Sequence, residues 1–533
     1  MLLERLWGKV RLYWKKKLAM VTLVSLVFLL LVRTNVVFSS SIVSSSYYGW
    51  PMAGRDLCRT SYTYEEGPQT NCTVWIFDTG TGASYGIRSG VTIANGIVYF
   101  GSDDDHVYAV NATTGKLLWK FYGGHDMRTA PAVAYGYVYV GSRNGTFYCL
   151  NALTGELVWK FTSGLSGQSI IRSSAAVWDG KVYFGSRDKR LYCLDAYTGK
   201  VIWNYTTGDQ IDSSPAIFNG IVYIGSDDDK IHAVNATTGE LIWNVSIGNN
   251  VLRAPAVAYG LVFVASQGNI LFALNASTGE QVWNQTLTNA VSTRGGVAVA
   301  NGKVVVAGTQ GGLVYCFDAK NGSLLWTYSI GVSAAWYAVP AIAQNTVYFL
   351  GRDGKVHAVD LNTGQAVWTY IVTNSSTEIS RCDEAYGAVA YGSFFIGAGN
   401  GKLYCFGTPV PLGVLSEYKS SAENQILSLQ SEINALQNQI SSLQGQINNL
   451  QSQISDLQSE RSSLMNQINS LQNQVSTLES EKSNLQSQVT NLQNENAGLR
   501  VQASNNLYMG IGAGAVIGLI IGIAATALLK RKQ

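Results

Sequence analysis

One recurring position along the chain carries mostly charged side chains. It lies eight residues before a tight turn, and this turn occurs eight times along the chain. Guanidinium groups can hold oxyanions through paired hydrogen bonds. If these positions meet in space, their excess of arginine predicts a site for a carboxylate, a sulfate or an acidic glycan. The alternative is a solvated ring of arginine–carboxylate pairs. The residues are Arg88, Arg128, Arg172, Asp212, Leu252 followed by Arg253, Arg294, Tyr337 and Glu384.

The other residues with chemical potential suit structural roles better. Two Asp triplets, 103–105 and 227–229, resemble calcium ligands. The equivalent position in other repeats holds Asn-Gly or Asp-Gly, which predicts that both triplets form hairpin turns. His232 and His357 align with tyrosines, which predicts strand packing. Four cysteines align with alanines and are expected in the core. They are Cys149, Cys193, Cys316 and Cys405.

Three cysteines fall outside the repeat: Cys58, Cys72 and Cys382. Any disulfide is expected among these three, and Cys58 with Cys72 is the first choice, since that bond would stiffen the point where the repeat array closes. No C-x-x-C-H or H-E-x-x-H sequence occurs. The sequence therefore contains no catalytic or metal site of these types, and we predict no metal ligands.

Composition excludes one function class. Of the 533 residues only 13 % are charged, and the formal net charge is +3. Nucleic-acid-binding domains usually carry a strongly basic patch, so no nucleic-acid partner is expected. The 55 Gly, 29 Tyr and 13 Trp beside 8 Pro favour many short strands joined by tight turns.

The elements that position the charged residues come from a repeat of four strands. A valine-rich strand, two alternating strands and a fourth strand with a tryptophan recur every 40 to 44 residues. Eight such tryptophans predict eight blades of a β-propeller. The last unit, 387–407, lacks a tryptophan strand, and the stretch 72–80 is a tryptophan strand without predecessors, so an N-terminal strand is expected to close the ring. The tryptophans are Trp75, Trp119, Trp159, Trp203, Trp243, Trp283, Trp326 and Trp368.

A motif joins the third strand of each repeat to the fourth. It reads Asn/Asp-x-x-Thr-Gly-x-x-x-Trp, as in NATTGKLLW (111–119), NALTGELVW and DAYTGKVIW. This motif resembles the repeat of the PQQ-like, or quinoprotein-type, propellers, and WPMAGRDLCRTS (50–61) resembles that family's lead-in. The likeness covers residues 50–408 and implies an all-β eight-bladed propeller in which each tryptophan packs against the neighbouring blade and the first strands line a central channel. The charged residues above would then ring one mouth of that channel.

The resemblance also raises the question of catalysis. Enzymes of the family bind pyrroloquinoline quinone and a metal ion above the channel, with long loops and often a disulfide between adjacent cysteines. This chain has short blades and no adjacent cysteines. We therefore expect no cofactor and a non-catalytic propeller like that of the bacterial outer-membrane-assembly lipoprotein. A PQQ-dependent and calcium-dependent dehydrogenase is kept as the alternative.

A seven-residue period begins after the propeller. Leucine occupies every d position from Leu429 to Leu499, and most a positions from Ile426 onward are Ile or Val, with Arg461, Lys482 and Asn496 as the exceptions. This pattern predicts a parallel two-stranded coiled coil, with a trimer also open. Residues 426–499 would form a rod of roughly 111 Å. Glutamine fills most e and g positions, which favours an acidic or saline exterior over simple drift of a low-complexity repeat.

Two apolar segments indicate a membrane-anchored surface protein. Residues 507–529 carry no charge, contain three overlapping G-x-x-x-G steps and precede Lys530-Arg531-Lys532, which predicts a membrane span with a cytoplasmic tail. Residues 18–32 have the size of a signal-peptide core. If residues 18–32 stayed in the membrane, the extended chain of residues 33–49 would span only about 56–61 Å. This span is shorter than the rod that would hold the propeller away from the membrane, so cleavage of the N-terminal segment is expected.

Outward exposure also suits the N-x-S/T sequons of the propeller. Three of the ten belong to the repeat motif and are discounted. The remaining glycosylation candidates are Asn71, Asn144, Asn204, Asn244, Asn284, Asn321 and Asn374.

The predicted organisation has five parts. Residues 1–45 are the signal peptide and a Ser-rich linker, 46–411 the propeller, 412–505 the coiled-coil stalk, 506–529 the transmembrane helix and 530–533 the basic tail. This layout resembles the coiled-coil stalk subunits of archaeal surface layers. We expect a plasma-membrane, single-pass glycoprotein of the cell envelope that binds itself through the coil and binds a surface-lattice protein or a glycan through the propeller. The alternatives are an extracytoplasmic quinoprotein dehydrogenase and an envelope-protein assembly factor.

Overall fold

A computed structural model describes residues 49–82, 85–164, 170–287, 296–307, 312–331, 339–375, 378, 386–408 and 413–506. The chain divides into two compact units at residue 422, and each unit is considered by itself. Within the described residues no helix is both long and apolar enough to cross a bilayer. The predicted span 506–529 and the N-terminal segment 18–32 fall, apart from residue 506, outside the described part of the chain.

The described residues form 33 strands and one long helix. In chain order they are β1 (Tyr62–Thr63), β2 (Thr73–Asp78), β3 (Thr92–Ala94), β4 (Ile97–Gly101), β5 (His106–Asn111), β6 (Leu117–Tyr122), β7 (Ala132–Ala134), β8 (Tyr137–Gly141), β9 (Thr146–Asn151), β10 (Leu157–Thr162), β11 (Ala176–Trp178), β12 (Lys181–Gly185), β13 (Arg190–Asp195), β14 (Val201–Thr206), β15 (Ala216–Phe218), β16 (Ile221–Gly225), β17 (Lys230–Asn235), β18 (Leu241–Ser246), β19 (Ala256–Ala258), β20 (Leu261–Ala265), β21 (Ile270–Asn275), β22 (Gln281–Thr286), β23 (Val297–Ala300), β24 (Lys303–Ala307), β25 (Leu313–Asp318), β26 (Leu324–Ser329), β27 (Ala341–Ala343), β28 (Thr346–Leu350), β29 (Lys355–Asp360), β30 (Ala366–Ile371), β31 (Ala388–Ala390), β32 (Ser393–Gly397), β33 (Lys402–Gly407) and α1 (Val414–Asn506).

The strands form eight antiparallel sheets, which confirms the eight-bladed propeller. Blades 1 to 7 begin at β3, β7, β11, β15, β19, β23 and β27 and each takes four consecutive strands, while blade 8 consists of β31 to β33 and β2. The innermost strand of blade 8 contacts that of blade 1, so the ring is closed. β1 pairs in parallel with the innermost strand of blade 7.

The N-terminal strand closes the ring as predicted. β2 lies antiparallel to β33, with Trp75 opposite Cys405. Blade 8 lacks the glycine turn that joins the third and fourth strands of the other blades, and residues near Pro68 take its place: the Pro68 carbonyl accepts hydrogen bonds from Trp368 Nε1 at 2.9 Å and Tyr348 Oη at 3.0 Å. The contact between blade 7 and blade 8, where the propeller closes, therefore has the same hydrogen-bond donors and acceptor as the contacts between the other blades.

The repeat motif is the contact between neighbouring blades. Asn111 Oδ1 accepts hydrogen bonds from the backbone N–H groups of Thr113 and Thr114, which holds the turn. Gly115 has φ +67°, and a Cβ there would lie 2.7 Å from the ring of Trp75. Trp75 Nε1 donates to the Ala112 carbonyl at 2.9 Å. Glycine is needed at this turn both for its backbone angle and because the tryptophan of the preceding blade lies on it.

The second unit contains most of α1. The helix predicted over 412–505 runs without interruption over 93 residues, Val414–Asn506. The a and d side chains lie on one face and remain largely exposed among the described residues, as at Ile426 (65 %) and Leu429 (50 %). Such a seam is what a coiled coil buries.

Candidate functional site

The residues predicted to ring the channel are brought together by the innermost strands. We call Arg88, Arg128, Arg172, Asp212 and Arg253 the mouth ring. Each precedes the innermost strand of its blade: the first four lie four residues before that strand, whereas in the fifth blade Leu252 holds this place and Arg253 follows it. Arg294, Tyr337 and Glu384 fall outside the described residues.

Two carboxylates that were not predicted bind the first arginines of the mouth ring. Arg128 Nε donates to Asp103 Oδ1 at 2.7 Å, and Arg88 Nε lies 3.3 Å from Asp103 Oδ2. Asp126 accepts from Arg128 Nη2 at 2.9 Å and from Arg143 Nη1 at 2.7 Å. Burial raises the pKa of Asp103 and outweighs Arg128 and Arg88, which act to lower it; the negative charge of Asp126 adds a smaller rise.

Asp212 is held more strongly by its neighbours. Arg187 makes a two-pronged contact with it, Nε to Oδ1 at 2.7 Å and Nη2 to Oδ2 at 2.6 Å, and Arg172 Nη1 donates at 3.4 Å. Burial acts to raise the pKa of Asp212, but the arginines outweigh it and the pKa is lowered. Asp212 is therefore ionised and fixes two guanidinium groups.

The fifth member of the mouth ring has a different environment. Arg253 Nη1 donates to the hydroxyl of Tyr386, and its guanidinium carbon lies 5.7 Å from the centre of the tyrosine ring. Both residues line a cavity inside the ring of blades.

The Asp triplet 103–105 lies in a hairpin turn, as predicted. Asp105 adopts φ 70° there, and the Asp103 carboxylate in addition binds Arg88 and Arg128. The missed signal is a second recurring position, directly after a Gly-Ser pair, which holds Asp103, Arg143, Arg187 and Asp227. Two of these residues, Asp103 and Arg187, pair with the mouth-ring residue of the next blade. The arginine–carboxylate pairs predicted as the alternative to an anion site are present at three mouth-ring arginines.

The N-terminal lead-in fills the inner edge of the propeller. We call residues 50–63 the plug segment. The N–H groups at the middle of six innermost strands, which would otherwise face the channel unpaired, donate to carbonyls of or next to this segment. Examples are Val133 to Pro51, Val257 to Cys58 and Ile342 to Ser61, at 2.7, 2.8 and 2.8 Å.

Arg59 anchors the plug segment. It is 3 % exposed, and its guanidinium donates only to backbone carbonyls: Nε to Pro215 at 2.6 Å, Nη1 to Ala53 at 2.7 Å, and Nη2 to Ser174 and Ala175 at 2.8 and 3.1 Å. Burial lowers the pKa of Arg59 to about 10. The sequence analysis did not single out this residue, because an isolated arginine in a lead-in carries no signal of burial.

The expected disulfide between Cys58 and Cys72 is not formed. The Cys58 thiol donates to the Ile217 carbonyl in blade 4, whereas the Cys72 carbonyl accepts from Gly407 N in blade 8. Both are free thiols, since the plug segment carries Cys58 to the opposite part of the ring. Cys382 falls outside the described residues. The four repeat cysteines are buried as predicted.

The remaining candidate residues are the sequon asparagines and one acidic cluster. All seven sequon asparagines named above are exposed, and three of them, Asn204, Asn244 and Asn284, lie in the outermost strands of blades 3, 4 and 5. Asp105, His125 and Asp126 lie close enough together to hold a cation. Asp126 already binds two arginines, so this cluster is a weak metal site.

Comparison with solved structures identifies the type of propeller that this chain forms. A search of curated protein sequences finds no match. Among solved structures the chain is similar to BamB from Moraxella catarrhalis (17 % identity, TM-score 0.53, 64 % of this chain and 100 % of that one) and to quinohemoprotein alcohol dehydrogenase from Comamonas testosteroni (15 %, 0.57, 68 % and 81 %). It is also similar to a europium-containing methanol dehydrogenase (14 %, 0.56, 68 % and 98 %). These likenesses show a fold of the quinoprotein type.

The family assignment rests on the propeller blades themselves. The family described as "Beta-alanine-activating enzyme, beta-propeller" matches residues 135–407, slightly more than half of the chain, and this range runs from blade 2 to the last strand of blade 8. The chain therefore belongs to this β-propeller family.

Proposed function

We propose that this protein is a membrane-anchored cell-surface protein in which the propeller is a binding head and α1 is an oligomeric stalk. Its role is structural or adhesive, or it mediates protein interaction within the cell envelope. A surface-lattice protein or a glycan is the proposed partner of the head. The observation that carries this proposal is the exposed seam of α1 described above.

The apolar seam of α1 supports self-association because its exposure to water in an isolated helix is unfavourable. Eleven heptads present leucine at d, and side chains as far apart as Ile440 (64 % exposed) and Leu492 (63 %) remain uncovered. Burial of one such side chain contributes about 1.5–3 kcal/mol. Helical stability in water comes mainly from packing of an apolar face, so other copies of the chain are the natural cover for a seam of this length.

The head is better suited to binding than to quinone chemistry. Quinoprotein enzymes use pyrroloquinoline quinone with calcium, and calcium takes about six to eight oxygen ligands. The carboxylates near the mouth, Asp103, Asp126 and Asp212, already accept hydrogen bonds from arginines. The plug segment occupies the inner edge of the ring, and no two cysteines are adjacent. The described residues fit this cofactor poorly, and no catalytic step is assigned to it.

Membrane attachment rests on the apolar segment 507–529 and the basic residues after it. The glutamine-rich stalk and the exposed sequon asparagines support an outward-facing position. Cleavage near the Ser-rich stretch 39–46 follows from the reach of the intervening chain, and N-terminal sequencing that begins at Met1 would contradict it.

A second candidate function is capture of an extended segment by strand addition, as in envelope-protein assembly. The outermost strand of each blade has an unpaired edge, and a β-bulge near its start directs two consecutive side chains outward. In five blades both of these are aliphatic and about half exposed. They are Leu117, Leu118, Leu157, Val158, Val201, Ile202, Leu241, Ile242, Leu324 and Leu325.

Crosslinking on intact cells tests the proposal. We expect the full chain to crosslink to itself through the stalk and to a surface protein or glycoconjugate through the head. Recovery of unfolded envelope proteins on the outermost strands would favour the second candidate. Quinone absorbance in the purified protein, or dye-linked oxidation after addition of the quinone and calcium, would instead establish an enzyme and overturn the proposal.

A further inference from the structure

We infer that α1 pairs with a second copy of this chain as a parallel, in-register dimer, held in register by two ionic layers: Glu460 with Arg461 of the other copy, and Glu481 with Lys482 of the other copy. This inference rests on the proposed stalk. It adds the number of chains, their direction and their register, which an exposed apolar seam alone does not specify.

Positive charge within residues 424–499 of the stalk is confined to the seam. Between residues 424 and 499 the chain has only two cationic side chains, Arg461 and Lys482, and both occupy a positions. Both are exposed in the single chain. A cation at an a position lowers coiled-coil stability unless it finds a partner, so its presence usually serves specificity. The absence of lysine and arginine from all other positions of this stretch makes these two layers distinct from the rest.

Arg461 has no acidic neighbour on its own helix. Side chains meet along a helix at spacings of three and four residues, and at those spacings Arg461 has only leucine, glutamine and methionine. Within the described part of α1 no ion pair includes it. A charge partner for Arg461 must therefore come from another chain. Lys482 has one acidic neighbour at such a spacing, Glu479.

The acidic partner stands at the adjacent g position in both layers. Glu460 directly precedes Arg461, and Glu481 directly precedes Lys482. Residues next to each other in sequence point to different sides of one helix and do not pair. In a parallel coil, however, an a side chain of one copy enters a hole of the other copy that includes the preceding g residue. Each layer then contains two symmetric ion pairs.

Other registers and directions lose both layers. A slip of one heptad in either direction places the two cations opposite Gln453 and Gln474, or opposite Gln467 and Gln488. Antiparallel pairing about the middle of the heptad region places Lys482 opposite residue 443, within the stretch 433–455 that carries no charge. A trimer would bring three cations together at its axis, where a dimer brings only two. Among the pairings of two chains considered above, only the in-register parallel one gives every seam cation a carboxylate.

Charge reversal in the full chain, purified in mild detergent, tests the layers. Glu460→Lys places two like-charged pairs in the first layer, and we expect it to raise the dimer dissociation constant by roughly tenfold. Glu460→Lys combined with Arg461→Glu exchanges the charges and is expected to restore the wild-type constant. Glu432→Lys is the matched control, because Glu432 is also a g residue but precedes Ile433. It should change the constant less than twofold.

Cysteine crosslinking tests direction and register. Leu436→Cys, at a d position, should form an interchain disulfide under mild oxidation, because only in-register parallel pairing brings the two copies of residue 436 together. Asn438→Cys, on the outer face of the same turn, should not, and the wild-type chain corrects for its natural cysteines. Trimers by sedimentation equilibrium, no crosslink at residue 436, or equal effects of Glu460→Lys and Glu432→Lys would overturn this inference alone. A monomeric full chain would overturn the proposed stalk as well.

Discussion

Replacement of Arg59 tests whether the plug segment stabilises the propeller. The substitution Arg59→Ala removes a buried guanidinium that donates four hydrogen bonds to carbonyls of the plug segment and of blades 3 and 4. A hydrogen bond from a charged donor contributes about 1.5 kcal/mol or more, and the cost of removing the charge from water offsets roughly half of the total. We expect the free energy of unfolding to fall by about 3 kcal/mol.

Urea unfolding of the full chain, followed by tryptophan fluorescence, measures this loss. Eleven of the 13 tryptophans lie between residues 50 and 368 and none lies within α1, so the signal mainly reports the propeller. Arg59→Lys should be intermediate, because an ammonium group cannot reach carbonyls in several directions at once. Arg190→Ala is the control, since Arg190 is exposed on β13, and it should change the free energy by less than about 0.5 kcal/mol. A loss below about 1 kcal/mol for Arg59→Ala would refute the anchoring role.

Three further predictions follow from single residues. Gly279→Ala places a Cβ 2.7 Å from the Trp243 ring at φ +77° and should lower the free energy of unfolding by about 2 kcal/mol; an unchanged urea midpoint would contradict the blade contact. Burial and the nearby Asp212 raise the pKa of Asp227 to about 6, so stability is lost as the pH rises through that value. Asp227→Asn should raise the melting temperature by a few degrees near pH 8 but not near pH 4, and an equal shift at both would refute this. Maleimide should label exposed Cys72 in the folded protein, whereas burial raises the pKa of Cys193 to about 12 and delays its labelling until unfolding; equal rates would contradict its burial.

Blade number and ring closure could be predicted because their signals are local and repeated. A tryptophan four residues after a Thr-Gly turn contacts the next blade through one glycine, so the spacing alone encodes the contact. The unmatched strand at Trp75 and the incomplete unit at 387–407 complete each other in blade 8. The long helix was equally visible, since a period of seven residues over eleven heptads needs no tertiary information.

The site was only half predictable. The mouth-ring arginines repeat at a fixed distance before a turn, and that distance identified them. Their partners Asp103 and Asp126 lie in a turn and a loop, and the sequence does not distinguish the carboxylate of Asp103 from those of the turn residues Asp104 and Asp105 beside it. The disulfide prediction was wrong for a similar reason, since proximity in sequence says nothing about where the plug segment carries Cys58.

The amino-acid sequence by itself determined the blade repeat, the closing strand and the seam of α1, because each arises from residue types at short, regular spacings that dictate backbone geometry. Only the tertiary structure decided which carboxylate binds which arginine and where Arg59 is buried. These contacts join residues up to 156 positions apart, and their energies depend on burial, which exists only once the ring has closed.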